Sequence, residues 1–239
     1  MITGIVIALP EELSTLTSKK IDKGCCVAIT DHIVLAHSGA GAVNARAASE
    51  ALIEQGACRL ISWGCAAALS AALKPGDLVL APTLIDNENV QIDAHLDWIE
   101  ASQNLLSNSI KTHIGSLAES HGIVARSQNK KQLHTETGAI ALDMESVAVA
   151  KVAKENNLPF LAVRAIADPV DMDLPKAINH SLNAEGDIVL AKLLSFIALH
   201  PAELPGLIKL GLHFNAAKKT LKLVAQQLDH LTAFPSQAL

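Results

Sequence analysis

Two apolar runs in this chain end abruptly at carboxylates, and that pattern constrains the fold more than any other. Ala139-Ile-Ala-Leu142 runs into Asp143 and Glu145, while Phe160-Leu-Ala-Val163 and Ala165-Ile-Ala167 run into Asp168. In an open α/β sheet the carboxyl ends of strands line the ligand crevice. Two carboxylates delivered there suit a reaction in which one contacts a sugar and the other protonates a leaving group. A plainer reading is that Asp143 caps a helix and Asp168 starts a turn before Pro169. Spacing alone leaves both readings open.

The rest of the chain repeats the strand-then-helix rhythm. Ile2 to Leu9 reads as a buried strand, with Pro10 suited to a first helical turn where its missing N–H costs nothing. Cys25 to Thr30 and His32 to His37 read as paired strands around Asp31, and Gly39 to Glu54 as a loop entering an Ala-rich helix. Strands are expected at Leu60 to Trp63, Leu78 to Leu80, Gly122 to Ala125 and 159–167, with helices near Leu96 to Asn108, over 144–156 and over 184–199. Strands alternating with helices predict an α/β fold around a mostly parallel sheet.

Composition supports that class. The 239 residues suffice for one α/β domain with a large core. Half are hydrophobic but only 3% are aromatic, so the core must be built from Ala, Leu, Ile and Val. A formal charge of −5 argues against a nucleic-acid partner, which calls for a basic footprint. Cys25, Cys26, Cys58 and Cys65 form no C-x-x-C pair, which argues against zinc. They read as small buried thiols in a reducing, cytoplasmic compartment. The first apolar run stops at Pro10-Glu-Glu12, too early for a membrane span or a signal peptide.

Four segments, in order, resemble the nucleoside phosphorylase and nucleosidase family. They are Gly4-Ile-Val-Ile-Ala-Leu-Pro-Glu-Glu-Leu13; Ser38-Gly-Ala-Gly41; Gly64-Cys-Ala-Ala-Ala-Leu69 with Lys74-Pro-Gly-Asp-Leu-Val79; and Asp143-Met-Glu-Ser146 with Arg164-Ala-Ile-Ala-Asp168. The resemblance covers roughly residues 2 to 195. It implies a three-layer α/β/α phosphorylase-like fold with a central mixed, mostly parallel sheet. It also implies an enzyme that cleaves the N-glycosidic bond of a 5′-substituted adenosine, needing no cofactor or metal, with phosphate as a candidate co-substrate. Within the family the likeness is to the hopanoid-associated phosphorylases, which act on adenosylhopane. It rests on the short middle region, on Leu133-His-Thr-Glu-Thr-Gly138 and on the tail from His200-Pro-Ala-Glu-Leu-Pro205. A methylthioadenosine/S-adenosylhomocysteine nucleosidase is the alternative, and a non-catalytic nucleoside-binding protein a third reading.

The same resemblance assigns roles. Asp168 donates a proton or hydrogen bond to purine N7, a task that requires a raised pKa. Glu145 accepts hydrogen bonds from the ribose hydroxyls and Met144 packs on the sugar; Met144 also reads as an ordinary inward helix residue. Ser38, Gly39 and Gly41 form the loop that holds the attacking phosphate or water, where glycines permit close approach and a helix start favours an anion. Arg46 and Arg164 are the candidate cations, although Arg164 inside an apolar strand also suits a partner for a buried carboxylate. Glu12 stands where the hydrolytic branch carries the Glu that activates water; a first-turn carboxylate favoured by the helix dipole explains it equally. Gly64, Cys65 and Ala66 line the base. Ala67 and Ala68 replace the usual glycines of that loop, placing two methyl groups near the purine. Phosphate and water both remain open as the nucleophile.

The tail differs in character. From Leu204 to Leu231 apolar residues recur at helical spacing, interrupted by Lys209, Lys218, Lys219 and Lys222. The expected organisation is a phosphorylase-like domain over 1–199 and an amphipathic helical extension over 200–239. Such a helix suits peripheral contact with a membrane surface or packing on its own domain or a second copy in a homo-oligomer.

Overall fold

A computed structural model describes residues 1–181 and 190–233. In chain order the elements are β1 (Ile2–Ile7), α1 (Pro10–Leu13), β2 (Cys26–Thr30), β3 (Ile33–His37), α2 (Ala42–Glu54), β4 (Ala57–Ala68), β5 (Leu78–Leu80), β6 (Thr83–Ile85) and β7 (Gln91–Asp93). They continue with α3 (Leu96–Leu106), β8 (Thr112–Ile114), β9 (Leu117–Glu119), α4 (Ser127–Thr137), β10 (Ala141–Asp143), α5 (Ser146–Glu155) and β11 (Phe160–Asp168). Last come α6 (Lys176–Ser181), α7 (Leu190–Leu199), a 3-10 turn (Pro201–Glu203), α8 (Leu204–Ala225) and α9 (Leu228–Thr232).

Among the described residues all strands belong to one sheet, and it forks. The strands β2, β3, β1 and β4 lie side by side, with β1 parallel to both β3 and β4. Beyond β4 the sheet divides. One arm pairs β4 in parallel with β11, from Phe160 against Leu60 to Asp168 against Ala67, and continues through β5 to β8. The other pairs Ala67 and Ala68 of β4 with Leu142 and Ala141 of β10 in antiparallel sense, then continues through β9, β6 and β7. The result is a mixed, mostly parallel sheet between two helical layers. On one side α2 and α5 pack together over β1, β4 and β11; on the other α8 lies on β11 and β4.

Local sequence explains the elements near the fork. All nine residues of β11 are buried, as in a strand covered on both faces. Leu60, Ile61, Trp63, Leu161, Val163 and Ile166 are fully enclosed. The register of β11 slips between Ile166 and Asp168, so the strand bulges at the point where it delivers its carboxylate. Bulges commonly re-aim a side chain in this way.

Several expectations change. The four thiols are not buried as expected: Cys25 is exposed, and Cys26, Cys58 and Cys65 are half-buried. Gly64 to Ala68 is not a loop after a strand but the second half of β4, because its backbone finds partners on both arms of the fork. Gly122 to Ala125 is irregular rather than a strand, and β6, β7 and β9 form in the stretch around it. Those strands are three residues each, too short to show a period. Residues 127–137 form α4, a polar helix ended by Gly138 in the left-handed conformation. Of the helix expected over 184–199, residues 190–199 appear as α7 and 184–189 lie outside the described residues.

The tail is helical, and its second half packs on the core. Ala217, Thr220, Leu221 and Val224 of α8 are buried. Thr220 donates from Oγ1 to the Gly76 carbonyl (2.5 Å), and Trp98 Nε1 donates to the Leu231 carbonyl (2.8 Å). The apolar surface left on α8 is thereby reduced to Leu204, Ile208 and Leu212 in its first half and Leu223 near its end. Among the described residues no single helix is long and apolar enough to cross a membrane, although α7 and α8 pass by composition as a pair bent by 108°.

Candidate active site

Four elements converge at the fork: the loop after β1, the second half of β4, the end of β10 and the end of β11. Their polar side chains form a buried cluster centred on Arg164. The Arg164 side chain is only 2% exposed. Its Nε lies 2.5 Å from Asp143 Oδ2 and donates to Ser146 Oγ (3.0 Å), while Nη2 donates to Ser62 Oγ (2.6 Å). Glu145 Oε2 stands 4.0 Å from Nη2. A charge in the core requires such pairing, since an unpaired buried ion is strongly destabilising.

Asp143 realises both of its sequence readings. Its Oδ1 accepts from the backbone N–H groups of Glu145 (3.2 Å) and Ser146 (3.0 Å) and so caps α5, while Oδ2 faces Arg164. Its carboxylate is thereby spent on structure. Glu145 is the free member of the motif, at the N-cap position of α5. Its Oε1 accepts from the Gly41 N–H (2.8 Å), which ties the glycine loop to the Asp143-Met-Glu-Ser146 motif. Burial, reinforced by Asp143 and only partly offset by Arg164, pushes the Glu145 carboxyl up to about 7. Met144, half-buried, lies between them in sequence.

Glu12 joins the same cluster from α1 and is 3% exposed. It is held from both ends: Oε1 accepts from the Cys65 N–H (2.7 Å) and Oε2 from the Leu9 N–H (3.1 Å). Burial raises its pKa above the ordinary carboxylate value, against the opposing pull of Arg164 and the two N–H groups. A raised pKa makes a carboxylate a better proton acceptor near neutrality. Burial and the neighbouring Glu12 also push the Cys65 thiol well up, so it stays protonated.

Gly64 is where the cluster admits no side chain. A Cβ there would collide with Arg164 Nη1 and sit 2.7 Å from Glu12 Oε1, and both groups are fixed by their partners. Gly64→Ala is therefore expected to lower stability by about 1–3 kcal/mol, the usual cost of overpacking. It should also displace Glu12 and depress turnover beyond what the lost folded fraction explains. Thermal melts alongside activity assays check this, and a wild-type rate in the folded variant would refute it. Ala67 and Ala68 sit in β4 paired with β10 and β11; Ala68 is fully buried and Ala67 half-buried.

Asp168 ends β11 on the other side of the fork, with its side chain 12% exposed. Lys130 of α4 approaches its Oδ1 to 2.7 Å. Burial raises the Asp168 carboxyl to about 6 in spite of that cation. An acid of this strength can hold a proton close to neutral pH and release it to a leaving group.

The glycine loop is built from backbone. Gly39 and Gly41 have φ of +81° and +94°, open to glycine and strained for other residues. Ser38 is buried, its Oγ within 3.1 Å of the Ile7 carbonyl and 2.8 Å of the Gly39 carbonyl. It shapes the loop more than it offers a hydroxyl outward. Arg46 does not join the site. It lies on the exposed side of α2, paired with Glu155 (2.6 Å) and Glu50 (3.0 Å). The carboxylate of α5 that draws it outward is far away in sequence. The cation beside the loop is instead Lys23, whose side chain lies across Gly39. Lys23 and Lys130 were both missed by sequence reasoning. Each sits in a polar run that reads as solvated surface. Among the described residues no group of three or more His, Cys, Asp or Glu is arranged to hold a metal ion.

Comparison with known proteins agrees with this fold. The sequence profile of the Phosphorylase superfamily matches residues 3–195. A 5′-methylthioadenosine/S-adenosylhomocysteine nucleosidase of Oceanobacillus iheyensis is 25% identical over 218 residues, 78% of this chain and 94% of that protein. One from Buchnera aphidicola is 28% identical over 210 residues, 75% of this chain and 83% of that protein. Among solved structures, the Helicobacter pylori 5′-methylthioadenosine/S-adenosylhomocysteine nucleosidase with butyl-thio-DADMe-Immucillin-A superposes with a TM-score of 0.72 at 19% identity, covering 97% of each chain. A futalosine hydrolase mutant of Helicobacter pylori gives 0.71 at 18% identity, covering 97% of this chain and 98% of that one. At such identities the superpositions speak for the fold alone.

Proposed function

Because this chain belongs to the Phosphorylase superfamily, we propose that it is a nucleosidase that hydrolyses the N-glycosidic bond of a 5′-substituted adenosine, with methylthioadenosine and S-adenosylhomocysteine as the substrate class. The observation that carries the reading is Glu12: buried, oriented by two backbone N–H groups, raised in pKa and grouped with Glu145 around Arg164. The names of the curated relatives support the substrate class.

In this reading Glu12 takes a proton from water as its oxygen attacks C1′. The C1′–N9 bond breaks through an oxocarbenium-like sugar, and Asp168 gives a proton to N7 so that adenine leaves neutral. Glu145 uses Oε2 to accept from the ribose hydroxyls, since Oε1 is engaged by Gly41. Met144 packs on the sugar, and Gly64, Cys65 and Ala66 border the base. A hydrogen bond to a charged acceptor contributes about 1.5–3 kcal/mol. Glu145→Ala should therefore slow cleavage of ribosides by about ten- to a hundredfold, and of 2′-deoxy analogues by much less. Equal losses on the two sugars would show that Glu145 does not read the 2′ position.

Phosphorolysis is the second reading, and Lys23 against Gly39 is the observation in its favour. Against it, Arg46 is engaged by Glu155 and Glu50, and Arg164 by Asp143 and the two serines. An adenosylhopane substrate draws less support: no relative named above carries it, and the later turns of α8 are packed on β11 and β4. Adenine release from methylthioadenosine, S-adenosylhomocysteine and a long-chain 5′-alkyl adenosine, with and without phosphate, tests all three readings. Phosphate-independent release from the two thio-nucleosides is expected. Strict phosphate dependence with a 1-phosphorylated sugar would overturn hydrolysis.

A further inference from the structure

The only side chain that α4 buries is a cation. Its sequence, Ser127 to Thr137, is polar apart from Leu133, which is only partly buried, yet Lys130 is 0% exposed. Leaving water is costly for an ammonium unless every donor is satisfied. Here all three are. Nζ lies 2.7 Å from Asp168 Oδ1, 3.0 Å from the Pro169 carbonyl and 2.9 Å from the Met172 carbonyl. Three acceptors and no donor around one nitrogen require the three hydrogens of the charged form.

A buried ion pair is weak evidence for stability, because apolar packing of equal volume usually does as well. Its placement is more telling. The three acceptors all come from the segment that leaves β11 at Asp168, and the same segment is fastened to the approach to α4 twice more. Leu174 donates from its N–H to the Ala125 carbonyl (2.8 Å), and the Ser127 N–H donates to Asp173 Oδ1 (2.7 Å). The turn after β11 is thus wrapped around one ammonium, with Asp168 as its first ligand.

We propose that Lys130 is a positioning residue for the acid: its ammonium occupies Oδ1 of Asp168, fixes the carboxyl plane and reserves Oδ2 for the proton transferred to the leaving base. The inference rests on the reading of Asp168 as the general acid. It has an electrostatic corollary. Two influences act on the Asp168 carboxyl, burial that raises its pKa and Lys130 that lowers it. A general acid works when protonated, so its contribution falls as pH rises through its pKa. Removing Lys130 leaves burial unopposed and moves that fall to higher pH.

The test compares wild type, Lys130→Met, Asp168→Asn and the double variant, each checked for folding by circular dichroism and thermal melting. For Lys130→Met, kcat should drop about ten- to a hundredfold with KM within about threefold, and the alkaline limb of the rate profile should shift to higher pH. In the Asp168→Asn background the same change should have almost no further effect, because residues that act as a unit are non-additive. A folded Lys130→Met with wild-type kcat and an unmoved limb, beside an inactive Asp168→Asn, would reduce Lys130 to a structural tie. Wild-type turnover in Asp168→Asn would instead remove the acid reading, and the proposal with it. If Lys130→Met does not fold, nitrogen-15 NMR of the wild-type lysine ammonium groups decides. The Lys130 Nζ signal should move when the Asp168 carboxyl titrates and again when adenine is added, and a signal indifferent to both would overturn the proposal.

Discussion

Asp168→Asn is expected to fold with a lowered melting temperature, because the buried Lys130 loses its counter-charge, and to release adenine about a hundred- to ten-thousand-fold more slowly, the range general acid catalysis typically supplies. The amide keeps a hydrogen bond to the base but cannot surrender a proton to it. It also exchanges a charge-assisted contact with Lys130 for a neutral one, so the melting temperature is the necessary control. The pH dependence gives a second signature. With the carboxyl at about 6, the wild-type contribution of the acid is present below that pH and declines above it. That decline should be missing from the residual rate of the variant. A folded Asp168→Asn with near-normal turnover would take Asp168 out of the mechanism.

Glu12→Gln should be equally severe if water is the nucleophile. The glutamine amide cannot accept a proton from attacking water, and its NH₂ would face the N–H of Leu9 or Cys65 where an oxygen now accepts. The rate should fall about a hundred-fold or more, and added phosphate should not restore it. The sign of the pH effect is opposite to that for Asp168. A base works when ionised, so its contribution grows as pH rises through the raised pKa of Glu12. Wild type should therefore show a bell-shaped profile; Asp168→Asn should lose its alkaline limb, and Glu12→Gln should keep only the part of the acid limb that ionisation of Glu145 sets. Retained, phosphate-dependent cleavage in Glu12→Gln would decide for phosphorolysis, and Lys23 beside Gly39 would become the first candidate to hold the anion.

Much of this site is legible in the chain because its signals are local. An apolar run followed by a carboxylate places Asp143 and Asp168 at strand ends, and the structure has them at the ends of β10 and β11. Glycines at 39 and 41 announce a loop that needs positive φ, and the loop has it. Arg164 inside an apolar strand announces a buried partner, which is Asp143. These features depend on a few neighbouring residues, whose periodicity and backbone freedom are fixed by their own side chains.

What the sequence by itself determined is the α/β class, many of the strands and helices, the family and the carboxylates at the strand ends. What only the tertiary structure decided is which charges meet. Gly41 and Glu145 are 104 residues apart, Glu12 and Cys65 53, and Lys130 and Asp168 38. No local pattern encodes such pairs, nor the fork at β4, which arises from one strand having partners on two diverging arms. Arg46 and Lys130 show the consequence in opposite directions. Arg46 looked suited to an anion and is held outside by Glu155. Lys130 lies in a run fit for solvent and is enclosed against Asp168. A side chain's charge is written in the sequence, but its burial and partners, which set its pKa and its task, come only from the folded chain.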